Sequence, residues 1–119
     1  MTDTQVYRDY CKTFKGVAFD FKAEWGAERY MVGGKMFCMF GGDKAGTPIV
    51  TLKCNPADGL ALREAHPGSV IPGYYMNKDH WNSIYYDGKL SEGEIKAQLL
   101  AAYSELVKSL PKKLQKELE

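Results

Sequence analysis

The residues that could do chemistry are few and scattered. Two histidines, His66 and His80, and three cysteines, Cys11, Cys38 and Cys54, are spread over 119 residues. No Ser-His-Asp set, paired catalytic carboxylates or H-x-x-x-H motif can be assembled from local spacing, although Asp79 adjoins His80. Only two histidines further limit zinc chemistry. The cysteines are odd in number and lack C-x-x-C spacing, so they read as buried free thiols. The expectation is a protein with no catalytic residue, no metal site and no cofactor. Gly33-Gly34-Lys35 and Gly41-Gly42-Asp43-Lys44 look superficially like phosphate loops, but neither supplies G-x-x-x-x-G-K-[ST]. Both join predicted antiparallel strands, so their simpler task is to turn the chain.

The stretch with most to offer a ligand is PGYYMNKDHWN, residues 72–82. It follows neither a helical nor a strand period. It reads as a structured loop that opens into a strand at His80, with Pro72 and Gly73 setting the turn. Loops of this kind often carry function. Two readings stand side by side: Tyr74, Tyr75, Met76 and Trp81 close one end of the core while Asn77 bonds the turn, or the same side chains meet a partner.

The elements that must position this loop follow from periodicity. Thr4 can cap a first helix carrying Tyr7, Cys11 and Phe14, and Gly16 stops it. Residues 17–27 alternate only loosely, with Trp25-Gly26 as a turn or short edge segment. Glu28 to Val32 and Lys35 to Phe40 read as a hairpin about Gly33-Gly34. On its second strand Met36, Cys38 and Phe40 share one face, and Phe37 and Met39 the other. GGDKAGTP is a wide turn before a strand over Ile49 to Lys53. A second helix begins at Asn55 or Pro56, carries Leu60, Ala61, Leu62 and Ala65, and ends at Pro67-Gly68, beside His66. Ser69 to Ile71 and His80 to Tyr86 are further strands, the latter with Trp81, Ser83 and Tyr85 opposed to His80, Asn82, Ile84 and Tyr86. Ser91 and Glu94 form a capping box for the last helix, whose stripe is Ile95, Leu99, Ala102, Leu106 and Leu110.

Composition bounds the rest. The chain is long enough for one domain with one core, residues 1–119, with a charged C-terminal tail from about residue 111 in which Leu114 and Leu118 are four apart. Apolar residues make up 45% and charged residues 26%, a globular composition. No apolar run reaches membrane-spanning length, and MTDTQVYRDY lacks the basic head and apolar core of a signal segment, which points to the cytoplasm and away from a membrane. Sixteen basic against fifteen acidic residues give a formal charge of +1, so contact with nucleic acid would need a local patch.

GGKMFCMF, VTLKCNP, IPGYYMNKDHWNSIYYDG and the final helix with AAYSELV resemble, in order, the MmcQ/YjbR family of small bacterial proteins. The resemblance runs from about residue 4 to Leu110. It implies an α+β fold, a two-layer sandwich with element order α-β-β-β-α-β-β-α and an antiparallel sheet of order 1-2-5-4-3, shaped like secretion chaperones. It also implies DNA binding through a double-wing arrangement. Lys35, Lys53, Pro72, Asn77, Lys78, His80 and Trp81 fall in family-like positions. Tyr75 stands where many relatives carry His, and Ala102 precedes Tyr103 where a Ser-Tyr pair is common. The first departure removes any presumption of histidine chemistry at position 75.

Two functions follow as expectations. A non-enzymatic DNA-binding protein would contact phosphates of double-stranded DNA through Lys35, Lys53 and Lys78, with Asn77 at a base edge and the aromatic loop as a wing or wedge. A protein-interaction or adaptor module would use Tyr74, Tyr75, His80 and Trp81 together with the sheet edge, and suits the near-neutral charge better. Convergence of the three lysines beside the loop favours the first, and their dispersal around an apolar patch the second.

Overall fold

Helix α1 spans Gln5–Lys12 in the computed structural model, which describes residues 4–74 and 76–118. Thr4 precedes it without capping it. Its Oγ1 accepts from Arg8 Nη1, so no side-chain cap forms, contrary to the sequence reading. The helix ends at Lys12, before Gly16. Phe14 then packs on Phe37 and Tyr103, so the apolar spacing survives the early stop.

The loosely alternating stretch holds a strand that the sequence reading lacks. Ala18–Lys22 is β1, which pairs antiparallel with β2, Ala27–Val32. Ala18, Phe19, Asp20 and Phe21 are all exposed, and an edge strand exposed on both faces carries no alternating pattern. A single 3-10 turn, Ala23–Trp25, joins the two, and Gly26 takes φ 60° to re-enter the sheet.

Gly33 and Gly34, with φ of 61° and 79°, make the two-residue turn whose twist suits a hairpin. They place Val32 opposite Lys35 at the start of β3, Lys35–Gly42. Tyr30 faces Cys38 and Met31 faces Met36, which leaves Phe37 as the extra residue of a β-bulge. The bulge corrects the expected alternation. Phe37 joins Cys38 and Phe40 in the core, while Met36, opposite Met31, and Met39, opposite Arg29, share the other face.

The remaining elements are β4, Pro48–Lys53; α2, Pro56–Ala65; β5, Val70–Pro72; β6, Trp81–Tyr85; α3, Glu92–Lys108; and α4, Lys112–Glu117. The expected element order is kept, with β1 and α4 added. The sheet order is β1-β2-β3-β4-β6-β5, and all its neighbours are antiparallel. The order implied by resemblance therefore fails at one strand: β4 lies in the middle of the sheet, beside β3, rather than at its far edge. The cause is local. Asp43 N donates to Thr47 O at 3.0 Å, so the β3–β4 connection closes on itself and pairs consecutive strands.

One face of the sheet carries the helices. Tyr30, Phe40, Val50, Leu52 and Ile84 meet Ile95, Leu99, Ala102 and Leu106 of α3. Each large side chain so buried stabilises the fold by about 2 kcal/mol. Asn55 Oδ1 caps α2 by accepting from Asp58 N at 2.8 Å, as its position suggests. The expected apolar stripe of α2 differs, because Leu60 is exposed and Gly59 is the residue buried against Cys54. The charged tail is a docked helix, with Leu114 and Leu118 packed on the core.

Candidate binding site on the open sheet face

Strand pairing sorts the residues of the second face. Arg29, Met39, Thr51 and Ser83 lie in one row across β2, β3, β4 and β6, and Ala27, Gly41, Ile49 and Tyr85 in the next. Among the described residues no helix covers them. The loop after β5 drapes over part of the face, and between it and the 3-10 turn lies a cleft of about 350 Å³. Its floor is Ala27, Met39, Gly41, Ile49 and Thr51. Glu24 and Trp25 wall one side, Tyr74 and Met76 the other.

The depth of the cleft follows from small residues at a register pair. A Cβ on Gly41 would lie 3.2 Å from Ala27 Cβ, so the two strands meet here with no room for a side chain. The far wall is fixed by hydrogen bonds. Tyr74 N donates to Ser83 Oγ at 2.9 Å, Ser83 Oγ lies 2.7 Å from Thr51 Oγ1, and Lys44 N donates to Tyr74 Oη at 3.0 Å. Beside it Tyr85 Oη donates to Asp43 Oδ2 at 2.7 Å, and Asp43 Oδ1 accepts from Ala45 N and Thr47 N. The Tyr85 hydroxyl, with the backbone donors, holds the Asp43 carboxyl below the usual carboxylate range, while the same bond pushes the Tyr85 phenol up. The near wall is looser. Trp25 is 51% exposed, with Lys22 Nζ 5.2 Å and Arg29 Cζ 5.8 Å from its ring. Arg29 is itself paired with Asp20.

The 72–82 segment is structured, and its first turn opens at Gly73, whose carbonyl accepts from Met76 N at 3.1 Å. Pro72 remains in β5, opposite Asn82, and Gly73 N donates to Trp81 O at 2.7 Å. Gly73 is required by close approach, because a Cβ there would lie 2.4 Å from Trp81 Cβ. A second turn follows, where Asn77 O accepts from His80 N at 3.2 Å and Asn77 Oδ1 accepts from Asp79 N at 2.8 Å. Asn77 thus bonds its own loop. β6 starts at Trp81, one residue after the expected start, and exposed His80 accepts from Cys54 N through its carbonyl.

The candidate lysines separate. Lys53 pairs with Trp81 on the open face and its Nζ lies 5.6 Å from the indole centroid. Lys78 is exposed in the loop, where its carbonyl accepts from Arg63 Nη1 at 3.3 Å. Lys35 is the partner of buried Val32, which places it on the helix-bearing side. Tyr74 lines the cleft, Trp81 lies beside Lys53, and Tyr75 lies outside the described residues. Sequence reasoning misses Trp25, Ala27, Met39, Gly41 and Arg63. Trp25 beside a glycine is the one visible signal, since the floor exists only once register is known.

A model of the YjbR family matches residues 12–105. The uncharacterized protein YjbR of Escherichia coli strain K12 is 31% identical over 109 residues, covering 92% of this chain and 91% of that protein. The uncharacterized protein YbdF of Escherichia coli O157:H7 is 34% identical over 89 residues, covering 75% of this chain and 71% of its own. Among solved structures, Deinococcus radiodurans protein DR2400, described by the domain DUF419, superposes with a TM-score of 0.86 at 28% identity, covering 99% of this chain and 88% of that one. A Pseudomonas syringae protein of 20% identity shares the fold, with a TM-score of 0.70, over 85% of this chain and 96% of its own. With a family model matched over residues 12–105 and a relative 31% identical over 92% of the chain, the chain belongs to the YjbR family.

Proposed function

We propose that this chain is a non-enzymatic binding domain whose open sheet face receives an extended segment of a protein partner, anchored by one aromatic or long aliphatic side chain. The observation that carries this reading is the cleft between Trp25 and Tyr74, floored by Ala27 and Gly41. Its far wall is already held by hydrogen bonds, so little ordering is needed on binding. The charges around it have partners within the chain, Asp20 with Arg29 and Asp43 with Tyr85. A cleft so lined takes an apolar anchor more readily than a phosphate. Free thiols at Cys11, Cys38 and Cys54 suit a protein working in the reducing cytoplasm.

DNA contact is the second reading, and what favours it is the pairing of Lys53 with Trp81 on the open face, with Lys78 exposed in the preceding loop. One experiment separates the two. Peptides selected from a random library on the wild-type domain should share an aromatic or aliphatic anchor and lose at least about tenfold in affinity against Trp25→Ala, with little response to salt. A labelled duplex is titrated in parallel across a salt series. Duplex binding that weakens steeply with salt and falls on replacing Lys53 and Lys78 by Gln, with no anchored peptide recovered, would overturn the protein reading in favour of DNA.

A further inference from the structure

Cys11 Sγ and Cys38 Sγ lie 3.8 Å apart, and both residues are fully buried. A disulfide is about 2.05 Å long, so the sulfurs need to close by about 2 Å. They belong to different elements. Cys11 sits on α1, the eight-residue first helix, and Cys38 on β3 in the sheet, 27 positions on. Cys54 is elsewhere, half-buried against Gly59 of α2.

We propose that Cys11 and Cys38 are a reversible dithiol–disulfide pair, oxidised by hydrogen peroxide or a small organic hydroperoxide, so that the bond fastens α1 to β3. While α1 is docked neither sulfur meets solvent, and burial pushes the Cys38 thiol up, which keeps it protonated and unreactive. Reaction therefore runs through opening of α1, a short helix held by the stacking of Tyr7 on Tyr86 at 5.5 Å and by packing on α3. In the open form the Cys11 thiolate attacks one peroxide oxygen. The O–O bond breaks, the sulfur is oxidised to a sulfenic acid, and the departing hydroxide takes the thiol's proton to become water. A sulfenic acid adds one oxygen only, so the helix can dock again. As the helix closes, and before burial protonates it again, the Cys38 thiolate attacks Cys11 sulfur, the S–O bond breaks, and the departing hydroxide takes the proton that Cys38 gave up and leaves as a second water. Two thiols and one peroxide become one disulfide and two waters, and an added dithiol reverses the change.

The test uses the full chain with Cys54→Ala, which leaves only this pair. After one equivalent of hydrogen peroxide, the protein is unfolded in guanidinium, alkylated and weighed. The expected product is a monomer lighter by two hydrogens that takes up no alkyl group, and dithiothreitol restores two alkylatable thiols. Tyr7→Ala, which loosens α1, should form the bond several-fold faster. Two thiols still open to alkylation, a sulfinic acid without linkage, or a disulfide between two chains would each overturn the pair. An unchanged rate in Tyr7→Ala would overturn the route through opening of α1.

Discussion

Arg63 Nη1 donates to Asn82 Oδ1 at 2.7 Å, and Asn82 Nδ2 donates to Gly59 O at 3.1 Å. Asn82 is fully buried, so its amide is satisfied from α2 rather than from water. The same guanidinium nitrogen reaches the carbonyl of Lys78. One arginine thus ties α2, β6 and the loop that walls the cleft into a single unit, and places the loop without touching its aromatic rings.

Removing Arg63 should therefore cost more than an exposed arginine normally does. Arg63→Met leaves Asn82 Oδ1 buried with its strongest donor gone, at a cost of about 1–3 kcal/mol. Asn82→Leu removes both bonds, and the double variant should be less destabilised than the sum of the two. Urea unfolding of the four proteins measures this. Additive costs would show that the two side chains stabilise the fold independently.

Gly73 should tolerate nothing larger. A Cβ there would lie 2.4 Å from Trp81 Cβ and 2.9 Å from Trp81 O, so Gly73→Ala pushes β6 away and costs about 1–3 kcal/mol. Gly88 is a control with open space around it and φ 83°, where alanine strains only its own backbone. The near-ultraviolet signal of Trp81 should change in the first variant and not in the second. The same spectrum in both would place the cost of Gly73→Ala elsewhere.

Much of the fold is legible in the sequence because burial is one-sided where the chain is periodic. The last helix reveals itself through Ile95, Leu99, Ala102 and Leu106, all buried, and the hairpin through paired glycines. β1 is invisible for the opposite reason, since Phe19 and Phe21 are exposed at 55% and 66% and give no alternation. The bulge at Phe37 obeys no local signal either, because both phases of the strand are apolar. The cleft is a product of register: Ala27 and Gly41 are 14 positions apart and mean nothing until β2 and β3 pair. The lysines illustrate the same limit. Lys35 and Lys53 both end up at strand termini, yet pairing with Val32 sends one to the helix side and pairing with Trp81 sends the other to the open face.

The packing of α3 makes its own prediction. Leu99 is fully buried and Leu106 nearly so, each in the main core. Leu99→Ala or Leu106→Ala should destabilise the protein by about 2–4 kcal/mol through lost burial and the cavity left behind. Guanidinium unfolding checks it, and costs below about 0.5 kcal/mol at both sites would contradict the core as described.

The start of α3 is a reciprocal cap. Glu94 N donates to Ser91 Oγ at 3.1 Å, and Ser91 N donates to Glu94 Oε1 at 3.1 Å. Ser91→Ala should cost about 1 kcal/mol, since it leaves a helix donor without its side-chain acceptor. Glu94→Ala should cost less, and the pair should be non-additive. Strict additivity would mean that the two halves of the box form separately.

Asp43 offers a pH-dependent handle on the cleft wall. Its carboxylate accepts from the Tyr85 hydroxyl and from the backbone of Ala45 and Thr47, and these bonds lower its folded pKa, the Tyr85 bond most. A depressed carboxylate contributes stability that is fully present above its unfolded pKa, about 4, and is lost as pH falls through the lower folded value. Acid should therefore loosen the 43–47 turn, and with it the Lys44 N–H that holds Tyr74 Oη. Tyr85→Phe removes the leading cause, so the Asp43 side-chain carbon resonance should titrate at higher pH than in the wild type. Asp43→Asn should flatten the acid limb of the stability curve below about pH 4. Carbon-13 NMR reads the first and thermal unfolding across pH the second. An Asp43 titration unmoved by Tyr85→Phe would show that the backbone donors alone hold the carboxylate, and that the tyrosine bond does not brace the wall.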